Sequence, residues 1–321
     1  MTSIRLLTAS LLGAVCLVAQ AAQAEFPEKP ITVYNGAGVG GGVDSYGRVV
    51  ASVAPEVFDG QPMIVVNKAG GAHTVALKHL ARAKPDGYTL AMVSFGSSVI
   101  ASTLRDLGIN PIDDFEFIAQ VGGITPALFV RKDSPYKSPK DVVAAAKENP
   151  GKFSYGHSGR GASTHVSMVA WLSANGIKMK DVPFKGGGHS RAALIAGDVD
   201  FLSTGIQQFG GFEDKLRVLG VFTSKRDGVY SKLPTMKEQG VSYIDVFSPV
   251  MIMAPKGTPK TVIARLEKGI AEALKNKAFH KLAKATKLNI SYADSAASRA
   301  LMESLRTQWS PVLKEVKATM K

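Results

Sequence analysis

Short β-rich runs alternate with helical patterns along most of the chain. Runs such as ITVYN (31–35), MIVVN (63–67) and VDFLST (199–204) are each followed by a glycine-rich or polar turn. Between the runs lie stretches with apolar residues at helical spacing, among them 138–148, which opens with the cap Ser-Pro-Lys-Asp. This alternation with short connections predicts an α/β fold built on mainly parallel sheets. The other strand candidates are YTLAMVS (88–94), ALFVRK (127–132), FSYGH (153–157), DVPFK (181–185), LRVLGVFT (216–223) and VMIMAP (250–255).

The first 24 residues have the pattern of a secretory signal peptide. A single charged residue, Arg5, precedes an apolar stretch, and Ala22-Gln23-Ala24 forms a small-residue cleavage site. A membrane anchor is the alternative, but the apolar stretch is short for a bilayer span of about 20 residues. A lipid anchor on Cys16 is disfavoured because Val15 stands where a small residue is expected. We therefore expect export from the cytoplasm, with cleavage after Ala24.

Cysteine content and charge narrow the classes of function. Cys16 is the only cysteine, so the predicted mature chain has none, which excludes disulfides, thiol catalysis and cysteine-ligated metals. About 297 residues remain (321 − 24), enough for a self-supporting core and for two domains. The formal net charge of +13 becomes +12 without Arg5, with 38 basic against 26 acidic residues. In an exported protein this excess favours anionic ligands or an anionic membrane surface over nucleic acid.

Glycine-rich turns follow four of the predicted strands. The carboxyl ends of parallel strands share one edge of the sheet, which is where ligands bind. Glycine lets backbone N–H groups approach a ligand closely, and a helix N-terminus adds unpaired donors and partial positive charge. Four such turns exceed what chain reversal requires, so they predict an anion-binding site, with tight turns alone as the alternative. They span residues 36–44, 67–73, 156–165 and 185–190.

Residues 36–41 satisfy G-x-G-x-x-G, but the surrounding sequence does not support dinucleotide binding. That motif needs an acidic residue about 20 positions past the loop, at the end of the second strand, and here this strand ends at Asn67. Asp44 lies in the first turn of the following helix, where it would repel a pyrophosphate. The sequence therefore predicts no cofactor.

Catalytic and metal-binding motifs are also incomplete. Residues 156–160 come close to G-x-S-x-G, but Arg160 replaces the final glycine. The six histidines form no H-E-x-x-H, and His73 and His79 are six positions apart, so they do not share a helix face. No metal site and no reaction are predicted. An exported hydrolase or isomerase remains the alternative, and a Ser–His–acid or paired-carboxylate arrangement at the cleft would distinguish it.

Several motifs resemble those of one receptor family. Gly40-Gly41-Gly42-Val43-Asp44 is similar to its first-loop G-G-x-x-D, residues 67–70 to its N-R-P-G, and AKPDGYTLAM (83–92) to its A-x-P-D-G-Y-T-L segment. On these motifs, and on others in the same order over essentially the whole mature chain, the protein resembles the substrate-binding proteins of tripartite tricarboxylate transporters, the periplasmic Bug receptors.

The resemblance implies a two-domain periplasmic-binding-protein fold, type II-like, with a ligand cleft between the domains. Domain I would comprise residues 25–124 and 249–321, and domain II residues 125–248. The implied function is a periplasmic receptor that captures a small carboxylate-type organic anion for uptake by membrane transporter subunits. Use of the receptor by a sensor protein, in place of a transporter, is an open alternative. The chain is expected to be a monomer that binds no nucleic acid, and the sequence does not identify the ligand.

The resemblance and the glycine turns together give the candidate ligand-binding residues. Backbone N–H groups of Gly40 and Gly41 are expected to donate to the anion or to its waters. Asp44 is expected to order waters or to cap the loop, a plain helix N-terminal charge being the alternative. The full set is Gly40, Gly41, Asp44, Ser94, Ser158, Gly161, Ser163, Thr164, Lys185, Gly186 and Thr204.

The candidates in the second half of the chain have their own alternatives. We expect hydroxyl groups at a helix start to donate to the ligand, namely those of Ser158, Ser163 and Thr164. The alternative is that they only cap the helix. Lys185 is expected to supply positive charge to the ligand. The alternative is that it is an ordinary surface lysine. His165 lies at helical spacing behind the hydroxyl residues and is interpreted as support or core packing.

At four places the chain departs from the family pattern. Gly36-Ala37 replaces a usual Pro-Phe, which removes an aromatic wall, and Ala162 replaces a usual Thr or Ser. Phe184 replaces a usual Tyr, and Phe247-Ser248-Pro249 stands where Trp-x-Gly is frequent. A receptor function survives these changes, but no particular dicarboxylate follows from them, and a wider site is left open.

Overall fold

The computed structural model of the protein describes residues 26–319, so the predicted signal peptide lies outside the described residues. Within this range, eleven strands and nine α-helices alternate along the chain. The strands are β1 (Ile31–Asn35), β2 (Met63–Asn67), β3 (Thr89–Ser94), β4 (Phe115–Ile124), β5 (Pro126–Arg131), β6 (Ser154–His157), β7 (Lys180–Pro183), β8 (Phe201–Gly205), β9 (Leu216–Val221), β10 (Ser248–Pro255) and β11 (Ile290–Ala293). The helices are α1 (Gly42–Val57), α2 (Thr74–Leu80), α3 (Phe95–Leu104), α4 (Pro139–Glu148), α5 (Ser163–Ala174), α6 (Gly187–Ala196), α7 (Lys260–Ala273), α8 (Lys277–Ala285) and α9 (Ser295–Thr319).

Helix α4 forms where its capping sequence predicted it. The Ser138 hydroxyl accepts a hydrogen bond from the Asp141 N–H (3.3 Å), and the Asp141 carboxylate accepts one from the Ser138 N–H (2.9 Å). This reciprocal capping box satisfies two donors that the first turn would otherwise leave unpaired.

The first sheet has six strands in the order β11-β4-β10-β3-β1-β2. Alternate residues of β3 face opposite sides of it. Leu90 and Met92 belong to the apolar core that contains α1, α7 and α8, whereas Ala91 and Val93 belong to the core that contains α2 and α9. Helices therefore cover both faces, which explains the continuous apolar sequence of this strand.

The second sheet has five strands in the order β7-β6-β8-β5-β9. Leu128 and Val130 of β5 pack in one core with α4 and α5, while Ala127 and Phe129 pack in another with α6. The elements around the first sheet (α1–α3, α7–α9) are called the first unit below, and those around the second sheet (α4–α6) the second unit.

Both sheets are mixed, which corrects the expectation of mainly parallel sheets. Strands joined by a helix do pair in parallel: β1 with β2 and β3, and β6 with β7 and β8. By contrast, β10 is antiparallel to β3 and β4, and β5 is antiparallel to β8 and β9. A helical crossover returns the chain parallel to the preceding strand, but a strand that arrives from another sheet can run either way.

The chain passes between the units at two places. β4 continues into β5 through Thr125, and the chain returns to the first sheet at β10. The strands of the first sheet therefore come from 31–124 and 248–293, and those of the second from 126–221. The exact domain boundaries stay a prediction. Within residues 26–319, no helix combines the length and apolarity that a membrane crossing requires.

Candidate functional site

A cavity of about 270 Å³ lies between the two units. Its walls include the turns that follow β1, β2, β6 and β7, together with the first residues of α1, α3, α5 and α6. Four helix N-termini therefore border one space, and each brings unpaired N–H groups and partial positive charge.

The structure brings most of the predicted site residues to this cavity. Gly40, Asp44 and Gly161 are the predicted residues that do not line it. Those that do are Gly41, Ser94, Ser158, Ser163, Thr164, Lys185, Gly186 and Thr204.

Asp44 holds the loop between β1 and α1 in shape. Its buried carboxylate accepts hydrogen bonds from the Gly40 N–H (2.9 Å), the Arg48 Nε (2.9 Å) and the Asn67 amide (2.8 Å). Because these donors occupy it, the carboxylate braces the loop from behind instead of facing the cavity. The structure thus places Asp44 where the loop-capping interpretation put it.

The N–H groups predicted as ligand donors in this loop are already engaged. Gly40 donates to Asp44, and Gly41 donates to the Gly38 carbonyl (3.0 Å). Within the described chain, the N–H groups of Gly42, Val43 and Asp44 at this helix start have no acceptor, and Gly42 and Val43 line the cavity. This corrects the predicted donor pair: the loop folds back on itself because a carboxylate and a carbonyl lie within its own reach.

A buried chain of serine hydroxyls forms the floor of the cavity. Ser248 and Ser94 hydroxyls lie 2.6 Å apart, and those of Ser94 and Ser97 lie 3.3 Å apart. The Ser97 hydroxyl then accepts a hydrogen bond from the Ser163 N–H at the start of α5 (2.9 Å). This bond joins the two units beneath the ligand space.

Among the described residues, three cations and no Asp or Glu line the cavity. The cations are Arg105, Arg160 and Lys185. Arg160 is paired with Asp181 (Nε to Oδ2, 2.7 Å), which lies outside the lining. Among residues 26–319, neither Arg105 nor Lys185 forms an ion pair. This balance of charge favours an anionic ligand.

Two polar atoms that lack hydrogen-bond partners in the described chain are buried at the cavity wall. One is the Thr204 hydroxyl, at the end of β8, and the other is Nδ1 of His73. Burial lowers the pKa of His73 to about 4, although the Gly36 backbone opposes the shift, so the imidazole is neutral near pH 7. A buried polar atom without a partner is costly, which makes both of them candidates for ligand contact.

The His73 ring lies directly against Gly36. A Cβ atom at Gly36 would lie 2.6 Å from His73 Nδ1, so only glycine leaves room for this ring. His73 and its neighbour Ala72 both have left-handed backbone, with φ of 74° and 54°. Such conformations are unfavourable outside glycine and cluster at ligand sites.

The first-unit loop touches the second unit directly on one side of the cavity. A Cβ atom at Gly38 would lie 2.6 Å from the Lys185 carbonyl oxygen, and the Gln208 amide donates to the Gly40 carbonyl (3.2 Å). The Gln207 side chain lies over Gly42. The two units are thus in contact around the cavity, as in a closed arrangement.

His157, His165 and Asp181 approach one another behind the loop that precedes α5, with ligand atoms within 4.8 Å. The N–H groups of Gly159 and Gly161 donate to Nδ1 of His157 (3.1 Å) and of His165 (3.3 Å), which places the ring protons on Nε2. A metal bound at Nε2 would require a protonated Nδ1 facing these N–H donors. The cluster is therefore unsuited to a cation and instead fixes the turn.

The pKa shifts of His165 and Asp181 agree with a structural role for this cluster. Burial, followed by the charge of His157, lowers the pKa of His165 to about 3. Burial raises the pKa of Asp181, but the hydrogen bonds that it accepts from His157 and Arg160 outweigh this effect and bring the pKa to about 2. Within residues 26–319, no serine hydroxyl hydrogen-bonds to either histidine of the cluster. A Ser–His–acid arrangement is thus not assembled there.

Comparison with known proteins decides the family. The model of the family described as "Tripartite tricarboxylate transporter family receptor" matches residues 46–318. The chain belongs to this receptor family. A relative in Cupriavidus necator, described as the UPF0065 protein in the gbd 5′ region, is 33% identical to this receptor over 264 residues, which cover 82% of this chain and 80% of the relative.

Solved structures share the fold of the receptor. The periplasmic binding protein BugD superposes with a TM-score of 0.83 at 27% identity, covering 91% of this chain and 98% of BugD. MatC of Rhodopseudomonas palustris, solved with bound malate, superposes with a TM-score of 0.82 at 24% identity, covering 90% of this chain and all of MatC (100%). The predicted recognition and the predicted α/β periplasmic-binding-protein fold are confirmed, with mixed sheets in place of mainly parallel ones.

Sequence reasoning missed several residues that line the cavity of this receptor. Arg160 lies inside one of the predicted glycine turns. A cation in a predicted anion-binding turn is a signal from which it could have been chosen as a candidate. Ser97 lies three residues after Ser94 at a helix start, which is also a readable signal. Arg105 and Gln207 carry no local signal, because only tertiary packing brings them to the cavity.

Proposed function

We propose that the protein is a periplasmic receptor that captures a small organic carboxylate between its two units and delivers it to membrane subunits of a tripartite tricarboxylate-type transporter. The observation that carries the proposal is the charge of the cavity: three cations and four helix N-termini border it, and none of its lining residues is acidic. A carboxylate bound there would meet donors from both sides.

The arrangement of the units supports capture by closure. The proposed domains, residues 25–124 with 249–321 and residues 125–248, meet at the cleft, at the two chain crossings described above and where α3 and α9 pack against Val166 of α5. A ligand that contacts both domains stabilises the closed state by its differential affinity for that state. MatC, which shares the fold, has been solved with a dicarboxylate.

The remaining parts of the proposal follow from sequence and family. Residues 1–24 would direct export and be removed after Ala24, leaving a periplasmic monomer. The role is capture and delivery without catalysis, and it needs neither cofactor nor nucleic acid. Delivery to a sensor protein instead of a transporter would use the same site.

A thermal-shift and calorimetry screen of residues 25–321 tests the proposal. The panel would contain mono-, di- and tricarboxylates, neutral sugars and amino acids. We expect carboxylates to raise the melting temperature, and a ligand at 100 times its dissociation constant adds about 2.7 kcal/mol of stability. Stabilisation by neutral solutes alone would overturn the proposal. Loss of transport of the same carboxylate on gene deletion, restored by the wild-type gene, would separate transport from sensing.

A further inference from the structure

Arg105 lines the cavity and reaches from the first unit to the second. It follows the last residue of α3, and its N–H still donates to the Ala101 carbonyl of that helix (3.1 Å). Its side chain extends away from the helix, and Nη2 lies 3.4 Å from the Arg160 carbonyl oxygen in the turn before α5. A Cβ atom at Gly161 of the same turn would lie 3.3 Å from Nη2. The guanidinium is thus seated against the second unit.

Most of the hydrogen-bonding capacity of Arg105 is unused. A guanidinium has five N–H donors, and within the described chain one contact, to the Arg160 carbonyl, engages them. Of the first-unit residues that line the cavity, Arg105 alone carries a permanent charge. The neighbouring Arg160 differs, because Asp181 already balances its charge. Arg105 is therefore a cation without an ion-pair partner in the described chain, next to the turn before α5.

A second positive region borders the same cavity. There the Lys185 carbonyl lies against Gly38, and the start of α6 lies against Gly40. Arg105 instead contacts the turn before α5, so the two positive regions have different surroundings. A ligand with a single anionic group has one charge to place between these two regions.

We propose that Arg105 is a specificity-determining residue that binds a second anionic group of the ligand, so that the receptor selects dianions over monoanions of the same length. This rests on the proposed function, since it assumes that the first anionic group is a carboxylate in the same cavity. Arginine suits the role because its planar fork binds carboxylate oxygens in pairs. An anion held between Arg105 and the Arg160 turn would also contact both units and so favour closure.

Calorimetry with matched ligands tests this role. The probes are adipate, its monoamide and hexanoate, which share chain length and differ in the second terminal group, with further pairs at shorter and longer lengths. The variants are Arg105→Gln and Arg105→Lys, with Arg82→Gln as control because Arg82 is an exposed arginine outside the cavity. All titrations use neutral pH and one ionic strength, since screening weakens exposed charges.

We expect the wild type to prefer a dicarboxylate over its monoamide and its monocarboxylate. Arg105→Gln should weaken the best dicarboxylate by about 10- to 100-fold, the range for a charge-assisted hydrogen-bonded pair. The same variant should change monocarboxylate affinity by about twofold or less. Arg105→Lys should fall between, and Arg82→Gln should match the wild type.

The outcomes separate this proposal from the proposed function. If the wild type binds mono- and dicarboxylates equally, or if Arg105→Gln weakens both equally, carboxylate capture stands and the assignment to Arg105 is wrong. If the wild type binds no carboxylate of any length, both proposals fall. Melting curves of each variant confirm folding, which the exposed position of Arg105 should leave unchanged.

Discussion

The Gly38→Ala variant tests whether the ligand is held by closure of the two units. A Cβ atom at this position would lie 2.6 Å from the Lys185 carbonyl oxygen, whereas ordinary van der Waals contact begins at 3.4 Å. Gly38 does not have left-handed backbone, so alanine fits the loop itself without strain. The added methyl group therefore acts on the contact between the units and not on the folding of either one.

The size of the effect follows from overpacking. Inserting one carbon into a closed contact costs about 1–3 kcal/mol. If the penalty falls only on the closed state, it weakens ligand binding by about 5- to 150-fold, since about 1.4 kcal/mol is a factor of ten. Calorimetry of Gly38→Ala with the tightest carboxylate measures this loss, and the melting temperature of the free protein should stay near that of the wild type.

Gly188→Ala is the matched control at the same interface. Its Cβ would lie 3.4 Å from the Gly40 carbonyl oxygen, an ordinary contact, and alanine is favourable within α6. The control should bind the carboxylate like the wild type. Equal affinity in Gly38→Ala and wild type would refute closure at this loop, and a large fall in both variants would mean that the contact tolerates no substitution at all.

Three further outcomes are expected. Ser97→Ala leaves the buried Ser163 N–H of α5 without its acceptor and should lower the free energy of unfolding by about 1–3 kcal/mol in urea titrations. The control Ser102→Ala, at a half-buried position of α3, should lower it less. Equal losses in the two variants would contradict the role of the Ser97–Ser163 bond. Because His73 and His165 have pKa values of about 4 and about 3 in the folded state, against about 6.5 unfolded, the unfolded chain takes up protons first. Stability should therefore be full above about pH 7 and fall on acidification below about 6.5, by up to about 1.4 kcal/mol per pH unit for each histidine, and a flat profile would contradict this. Thr204→Val removes a buried hydroxyl that has no partner in the described chain, so it should hold or raise the melting temperature of the free protein while weakening carboxylate binding; unchanged binding would exclude ligand contact there.

Local sequence patterns located most strands but not their pairing. β1 and β2 were predicted with their observed bounds, because each is a β-branched run that ends in a glycine turn. β4 was not predicted as a strand although it is one of the longest: it is buried on both faces, so it lacks alternation, and Gly122-Gly123 within it is more typical of a turn. Strand direction depends on which sheet the chain enters, and no local pattern records that.

Some features of the candidate site could likewise be predicted from the sequence and others could not. Loops whose ligand-binding character comes from backbone geometry were predicted, because glycine after a strand is visible in the sequence. The hydrogen bonds inside the first loop were not, since the capture of the Gly40 N–H by Asp44 depends on how the loop folds back. Arg105 ends a helix with no unusual neighbours, and only the packing of α3 against α5 brings it to the cavity.

The central claim is that a carboxylate is captured between two units that close on it. Distance measurement between spin labels tests this directly, and the predicted mature chain has no cysteine that would interfere. One label would stand at Lys78 in α2 and the other at Ala192 in α6, both exposed, with a Lys78–Lys268 pair within the first unit as control. A saturating carboxylate should shorten and narrow the distance between the units and leave the control distance unchanged. An unmoved distance between the units, with binding demonstrated in the same sample, would contradict the account.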